Sequence, residues 1–201
     1  MVLLNLSNQN LTKIPIIPND VTELILSHNQ ITKIENLPEN LQLLWLDYNQ
    51  ITKIENLTSS IQELWLDNNQ IIKIENLPNS LRELHLHNNE ITKIENLPDS
   101  LQELYLYDNQ IAKIENLPRN LQHLDLSNNQ ITELPLSLLE LRRICTFNYF
   151  NNPIEFIHPL VQRWLDRYNR RVIGSNNKVY SDGQNIHNSS IQKSFRNSLG
   201  N

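Results

Sequence analysis

The chain repeats itself every 20 residues. A short, gapless period constrains a fold more than local propensity does, because every copy must take the same local structure and bury one face against the next. From Val21 to Asn120 five blocks align without insertion, each close to LxxLxLxxNxIxKIENLPxx. A sixth begins LQHLDLSNNQIT at Leu121, and the next stretches to 23 residues to reach Asn152. Before Val21, LNLSNQNLTKI at residues 4–14 is a truncated copy with Gln9 at the asparagine position. Eight units result, and residues 1–157 are predicted to form one solenoid.

Within LxLxxN the leucines alternate at period 2, so Leu24/Leu26, Leu64/Leu66 and Leu104/Leu106 point inward from short strands and stack with their counterparts into one apolar column. Leu (34) and Asn (31) make up about a third of the chain. The asparagine excess demands a structural cause, since Asn is not among the commonest residues of globular domains. At the turn leaving each strand a short side chain with both donor and acceptor can satisfy amides that would otherwise be buried unpaired. The column Asn29, Asn49, Asn69, Asn89, Asn109, Asn129 and Asn152 is therefore expected to be a structural ladder. A 20-residue unit has no room for a multi-turn helix after its strand. The IxKIENLP return should be extended or a single 3-10 turn, with Pro38, Pro78, Pro98 and Pro118 blocking helix continuation.

These residues resemble the leucine-rich repeat family, over about residues 2–157. The resemblance implies a horseshoe solenoid of the α/β class, mostly β here, with short parallel strands on the concave face and an extended or 3-10 convex side. The KIENL return is similar to the repeat of the protein phosphatase 1 regulatory leucine-rich protein. The 20-residue length with its LP step resembles secreted bacterial effector repeats. The endings NNPIEFIHPLVQRWLDR (151–167) and VYSDGQNIHNSSIQ (179–192) resemble the leucine-rich repeat proteins of giant amoebal, Mimivirus-like viruses, which implies an intracellular viral product in the host cytoplasm or virion.

A solenoid exposes its terminal core layers unless something covers them. Pro159, Leu160, Val161, Trp164, Leu165 and Tyr168 have helical spacing with Pro in the tolerated first turn, so a capping helix is expected within 158–171. Residues 172–201 read as a polar tail, with Ile191, Phe195 and Leu199 spaced for a short amphipathic helix. At the other end Leu4, Leu6, Leu11 and Ile14 form an open layer beside an edge strand, which makes homodimerisation through the N-terminal edge an expectation.

Several functions are excluded by composition. All three glycines fall in the last 28 residues, so no phosphate-cradling Gly-rich loop can form in the repeats. No run approaches the roughly 18 apolar residues of a membrane span, and the start lacks the basic region of a signal peptide. The lone Cys145 fits a reducing compartment and reads as a buried, inert thiol. Residues 1–140 carry 8 basic and 19 acidic side chains (−11), against 9 and 3 (+6) in 141–201. The arginines at 142, 143, 163, 167, 170 and 171 lack an accompanying base-stacking module, which disfavours nucleic acid.

Comparison of the copies with one another locates a candidate surface. The return segment barely changes, and Lys33, Lys53, Lys73, Lys93 and Lys113 with Glu35, Glu55, Glu75, Glu95 and Glu115 read as a solvated convex face. Strand positions facing away from the core do change. The residue between the two strand leucines runs Asn5, Ile25, Trp45, Trp65, His85, Tyr105, Asp125, and two residues on it runs Ser7, Ser27, Asp47, Asp67, His87, Tyr107, Ser127. Strands about 4.8 Å apart would set Trp45, Trp65, His85 and Tyr105 in a contiguous aromatic ridge, with Asp47, Asp67, His87 and Tyr107 beside it and Glu63, Glu83, Glu103 and Asp108 making an acidic rim. Such rings concentrate binding energy in protein interfaces, and the rim favours a basic partner. They could instead stack only to stiffen the sheet. His85, His87 and His123 lack a close carboxylate or thiolate set, so no metal is expected, nor any cofactor.

The expected function is a non-catalytic scaffold that binds a protein partner on the concave face, with no membrane partner. The alternative is a substrate receptor or regulatory subunit of an enzyme, as the effector ubiquitin ligases and the phosphatase regulator suggest. The chain itself is not expected to be an enzyme, because the sole cysteine lies inside the repeats and no catalytic domain follows them.

Overall fold

Three-residue strands carry one inward side chain each, so the sheet they build must gain its stability from repetition. The computed structural model describes residues 1–175. Its strands are β1 (Leu3–Asn5), β2 (Glu23–Ile25), β3 (Leu43–Trp45), β4 (Glu63–Trp65), β5 (Glu83–His85), β6 (Lys93–Ile94), β7 (Glu103–Tyr105), β8 (Lys113–Ile114), β9 (His123–Asp125) and β10 (Thr146–Asn148). Eight of them form one parallel sheet in the order β1-β2-β3-β4-β5-β7-β9-β10, and β6 and β8 pair separately on the return side. Successive strands pair in a constant register, Leu24 with Leu44, Leu44 with Leu64 and Leu64 with Leu84, so equivalent residues stand side by side.

The core follows from that register. Leu24, Leu26, Ile31 and Ile34 are fully buried, as are Leu41, Leu44, Leu46, Ile51 and Ile54 one repeat later. Each such side chain contributes roughly 1.5–3 kcal/mol through removal from water. The return segments are extended, with two exceptions at the end of the array. The extra three residues of the 23-residue unit are absorbed around a 3-10 helix, Leu136–Glu140, and an α-helix, α1, runs over Pro159–Ser175. That helix is longer than its expected 158–171 span, because nothing interrupts helical geometry before Gly174.

Three sets of polar contacts tie one repeat to the next. Asn69 Nδ2 donates to Leu46 O at 2.9 Å and to Leu66 O at 3.1 Å, while its Oδ1 accepts from Ile51 N at 2.9 Å. Asn29, Asn49, Asn89, Asn109, Asn129 and Asn152 repeat the pattern. A second asparagine column has no counterpart in the expectations from sequence. Asn36, Asn56 and Asn76 in the return segment donate to Ile14 O, Ile34 O and Ile54 O of the preceding repeat. Third, Ser60, Ser80 and Ser100 hydroxyls donate to Leu41 O, Ile61 O and Leu81 O.

Backbone geometry supplies a further reason for the asparagine excess. Positive φ occurs just before each ladder asparagine, at His28 (56°), Tyr48 (53°), Asn68 (54°), Asn88 (53°), Asp108 (55°), Asn128 (54°) and Asn151 (54°), and again at Asn36, Asn56, Asn76, Asn96 and Asn116. Asparagine and aspartate tolerate this left-handed region better than other non-glycine residues. The glycine-poor repeats therefore turn on asparagine.

The described residues fall into two compact parts, Met1–Gln162 and one beginning at Arg163. The short amphipathic helix expected at Ile191, Phe195 and Leu199 lies outside the described residues.

Asn69→Ala should lower stability by about 2 kcal/mol, since it takes the acceptor from the buried Ile51 amide and one of two asparagine donors from each of the Leu46 and Leu66 carbonyls. Urea unfolding should show a lower midpoint at unchanged m-value. Asn88→Val should cost about 1–2 kcal/mol for the left-handed φ alone, and Asn88→Gly should cost little.

Candidate interaction surface

Because Leu44, Leu64, Leu84 and Leu104 point inward, the residues on either side of them point out. Trp45, Trp65, His85 and Tyr105 occupy the same register on β3, β4, β5 and β7. Trp45 meets Trp65 edge to face at 6.1 Å between ring centroids. Trp65 stacks on His85 at 3.9 Å, and His85 on Tyr105 at 4.5 Å. The four rings are half-buried, each covering part of its neighbour. Ile25 continues the row on one side and Asp125 on the other.

Two residues further along each strand lies a second row. Ser27 donates to the Asp47 carboxylate. His87 Nε2 stands 3.3 Å from Asp67 Oδ2, and the His87 ring stacks on Tyr107 at 4.2 Å. Burial works against the charge of Asp67, but hydrogen bonds from His87 and Asn68 and the charge of His87 together outweigh it and hold the carboxyl below its ordinary value. Burial raises the Tyr107 phenol, reinforced by Asp67, Asp125 and Asp108.

Two residues before the ring row, Glu23, Glu63, Glu83 and Glu103 form an acidic line interrupted by Leu43. Glu83 Oε1 is 2.7 Å from His85 Nε2, and Tyr105 OH donates to Glu103 Oε2 at 2.8 Å. Burial and that hydrogen bond, with the charges of Glu103, Glu83 and Asp125, push the Tyr105 phenol well above its usual range. Glu63 differs from its neighbours, since Trp65 does not reach back to it as His85 and Tyr105 do to theirs. Burial raises the Glu63 carboxyl, and repulsion from Glu83, Glu103 and Glu23 raises it further.

Three expectations need correction. The histidines do have close carboxylates, because Glu83 lies two places before His85 on the same strand face and the constant 20-residue register sets Asp67 beside His87. His123 Nδ1 instead contacts Thr146 Oγ1 at 2.6 Å. Among the described residues no three His, Cys, Asp or Glu converge as metal ligands do. Cys145 is exposed, not buried. Thr146 pairs with His123, which aligns Cys145 with the outward-facing Gln122, whereas Ile144 takes the inward position and is 2% exposed. Finally, Asp108 sits in an exposed left-handed turn at the end of the sheet, while Glu63, Glu83 and Glu103 are half-buried on the face itself, closer to the rings than a rim.

On the return side two of the five lysine–glutamate sets pair within one repeat, Lys93 Nζ with Glu95 Oε2 at 2.8 Å and Lys113 Nζ with Glu115 Oε1 at 2.5 Å. Such exposed pairs contribute little. Among the described residues no helix is long and apolar enough to cross a membrane.

Titration should separate two of the face carboxylates. The folded pKa of Asp67 lies below its usual 3.8, so its contribution is present above that value and lost as pH falls through the folded one. The stability difference between wild type and Asp67→Asn should therefore shrink on acidification in urea titrations. Glu63 has the opposite sign: its ionised form opposes folding, so Glu63→Gln should stabilise at neutral pH and the gain should vanish in acid.

The repeats match the family described as Leucine Rich repeats (2 copies) over residues 59–99, 79–119 and 99–137. Comparison with curated proteins finds no match. Among solved structures the chain is similar to a Shigella effector LRR domain, with a TM-score of 0.69 and 27% identity over 83% of this chain and 75% of that one. YopM from Yersinia enterocolitica WA-314 matches with a TM-score of 0.63 and 28% identity over 71% of this chain, which spans 31% of YopM's chain. A chain of the octameric complex of Latrophilin 3, Unc5D and FLRT2 (LRR) shares the fold, with a TM-score of 0.62 and 24% identity over 75% of this chain and 60% of that chain. The in-register parallel sheet, the repeats matched over residues 59–137 and these shared folds give this chain the leucine-rich repeat fold.

Proposed function

We propose that the chain is a non-catalytic scaffold that holds a protein partner on its strand face, through Trp45, Trp65, His85 and Tyr105 with Asp47, Asp67, His87 and Tyr107 beside them. The observation that carries this reading is the unbroken row of four stacked rings on a rigid sheet. Rings already fixed by their neighbours lose little freedom on binding, and Trp and Tyr are enriched where interface energy concentrates. A row present only to stiffen the sheet would not need indoles. Trp45 Nε1 and Trp65 Nε1 are both buried with no hydrogen-bond acceptor among the described residues, a cost that phenylalanine would avoid while stacking equally well. The printed descriptions of the similar structures, an effector domain and a multi-protein complex, accord with a role in recognition. The likeness of residues 151–167 to giant-virus repeat proteins favours a setting inside a host cell.

A second reading, self-association, rests on the first repeat. Leu4, Leu6 and Leu11 are half-buried where their counterparts are fully buried, and Met1, Val2 and Leu3 are 99%, 42% and 54% exposed. Light scattering should then show a dimer that Leu3→Lys dissociates; a monomer at high concentration removes this reading.

Trp65→Ala and Trp45→Ala should keep the cooperative unfolding transition and weaken partner capture by about 2 kcal/mol or more, as truncation of an interface anchor does. Affinity purification with quantitative mass spectrometry, wild type against both variants, checks this. A partner retained equally by all three places the interface elsewhere.

A further inference from the structure

The acidic line on the strand face is compensated everywhere along its contiguous run except at one carboxylate. Glu83 is bonded to His85 and Glu103 to Tyr105, whereas Glu63 has neither a hydrogen bond nor an ion pair among the described residues. It is half-buried beside Glu83, on the strand that also carries Trp65, and Trp45 stands on the neighbouring strand at the next outward position, paired with Trp65. On the side where the line would continue, Leu43 replaces the glutamate and offers an apolar wall instead. A carboxylate, two indoles and an aliphatic wall in one place are the elements that hold a long cationic side chain: the carboxylate takes the charge, an indole lies against it, and the apolar wall covers the methylene stem.

We propose that the partner presents an arginine or lysine at this point, seated on Glu63 beside Trp45 and Trp65 with its stem along Leu43. This rests on the strand face being the binding surface and adds the chemistry of what it reads. Charge complementarity supports it beyond the single residue, since residues 1–140 carry a net charge of −11 and Asp47, Asp67, Glu83 and Glu103 surround the same patch. An attractive field of this extent speeds encounter with a basic segment, while the local contact on Glu63 fixes where it docks.

The test is a random peptide library displayed on phage and selected on the full chain, with Trp65→Ala and Trp45→Ala as counter-screens and Glu63→Gln as the decisive variant. Glu63→Gln keeps the shape of the side chain and relieves repulsion, so it leaves the fold at least as stable as wild type. The expected result is that peptides dependent on either tryptophan are enriched in arginine or lysine. Glu63→Gln should weaken a selected peptide about tenfold, corresponding to about 1.4 kcal/mol, by fluorescence anisotropy, whereas Glu55→Gln on the return side should leave it unchanged. Tryptophan-dependent peptides that are uncharged or acidic, or cationic ones that bind Glu63→Gln like wild type, would overturn the cation seat and leave the strand-face scaffold standing. Selected peptides indifferent to both tryptophans, or no selected peptides at all, would overturn both.

Discussion

Hydrogen bonding from one repeat to the next is the constraint on which the structure depends. Among the described residues no strand exceeds three residues, so none could hold a partner strand alone, and the return segments contribute almost no regular structure of their own. What replaces length is closure of turns by side chains: the ladder asparagines clamp backbone amides and carbonyls of the adjoining turn, Asn36, Asn56 and Asn76 donate to carbonyls on the return side, and serine hydroxyls tie the corners before β4, β5 and β7. Buried polar backbone without partners would otherwise cancel the gain from the leucine and isoleucine core. The apolar column and the polar clamps are thus two requirements met by one 20-residue pattern.

This constraint explains why the outward strand face is so regular. Constant register sets equivalent residues beside one another at the spacing of adjacent strands, which is also the spacing at which aromatic rings stack. Variation at a single position of the repeat therefore becomes a continuous row in space. The cost of that regularity is visible in the glutamate line, where like charges are forced together and each must find its own remedy. His85 and Tyr105 provide one by reaching back to the residue two places earlier, and the indole of Trp65 does not.

The period, the inward leucines and the outward rows were legible from sequence because they depend only on spacing. The ladder asparagines were legible for the same reason, since they occupy one fixed place per copy. Other features were not. Asn36 and its counterparts lie in the invariant KIENL segment, where constancy masks which residue clamps and which merely faces solvent. The left-handed residues before each ladder asparagine vary in type, from His28 and Tyr48 to Asp108, so only geometry reveals what they share. Cys145 was misplaced because the 23-residue unit breaks the period that positioned everything else. The pairing of His85 with Glu83 is a matter of rotamer and reach, which strand alternation does not fix.

The way in which each repeat contacts only its neighbours has a further implication for how such a chain can change. Gain or loss of one complete unit alters the length of the outward row by a single set while every interior contact is remade in kind, so the array can be edited by whole steps without redesigning its interior. A shorter insertion has no such freedom, and the one extended unit accommodates its extra residues at the far end, around a 3-10 turn, where few later copies remain to be thrown out of step. Lineages of this architecture should therefore diverge in copy number and in surface letters far more readily than in period.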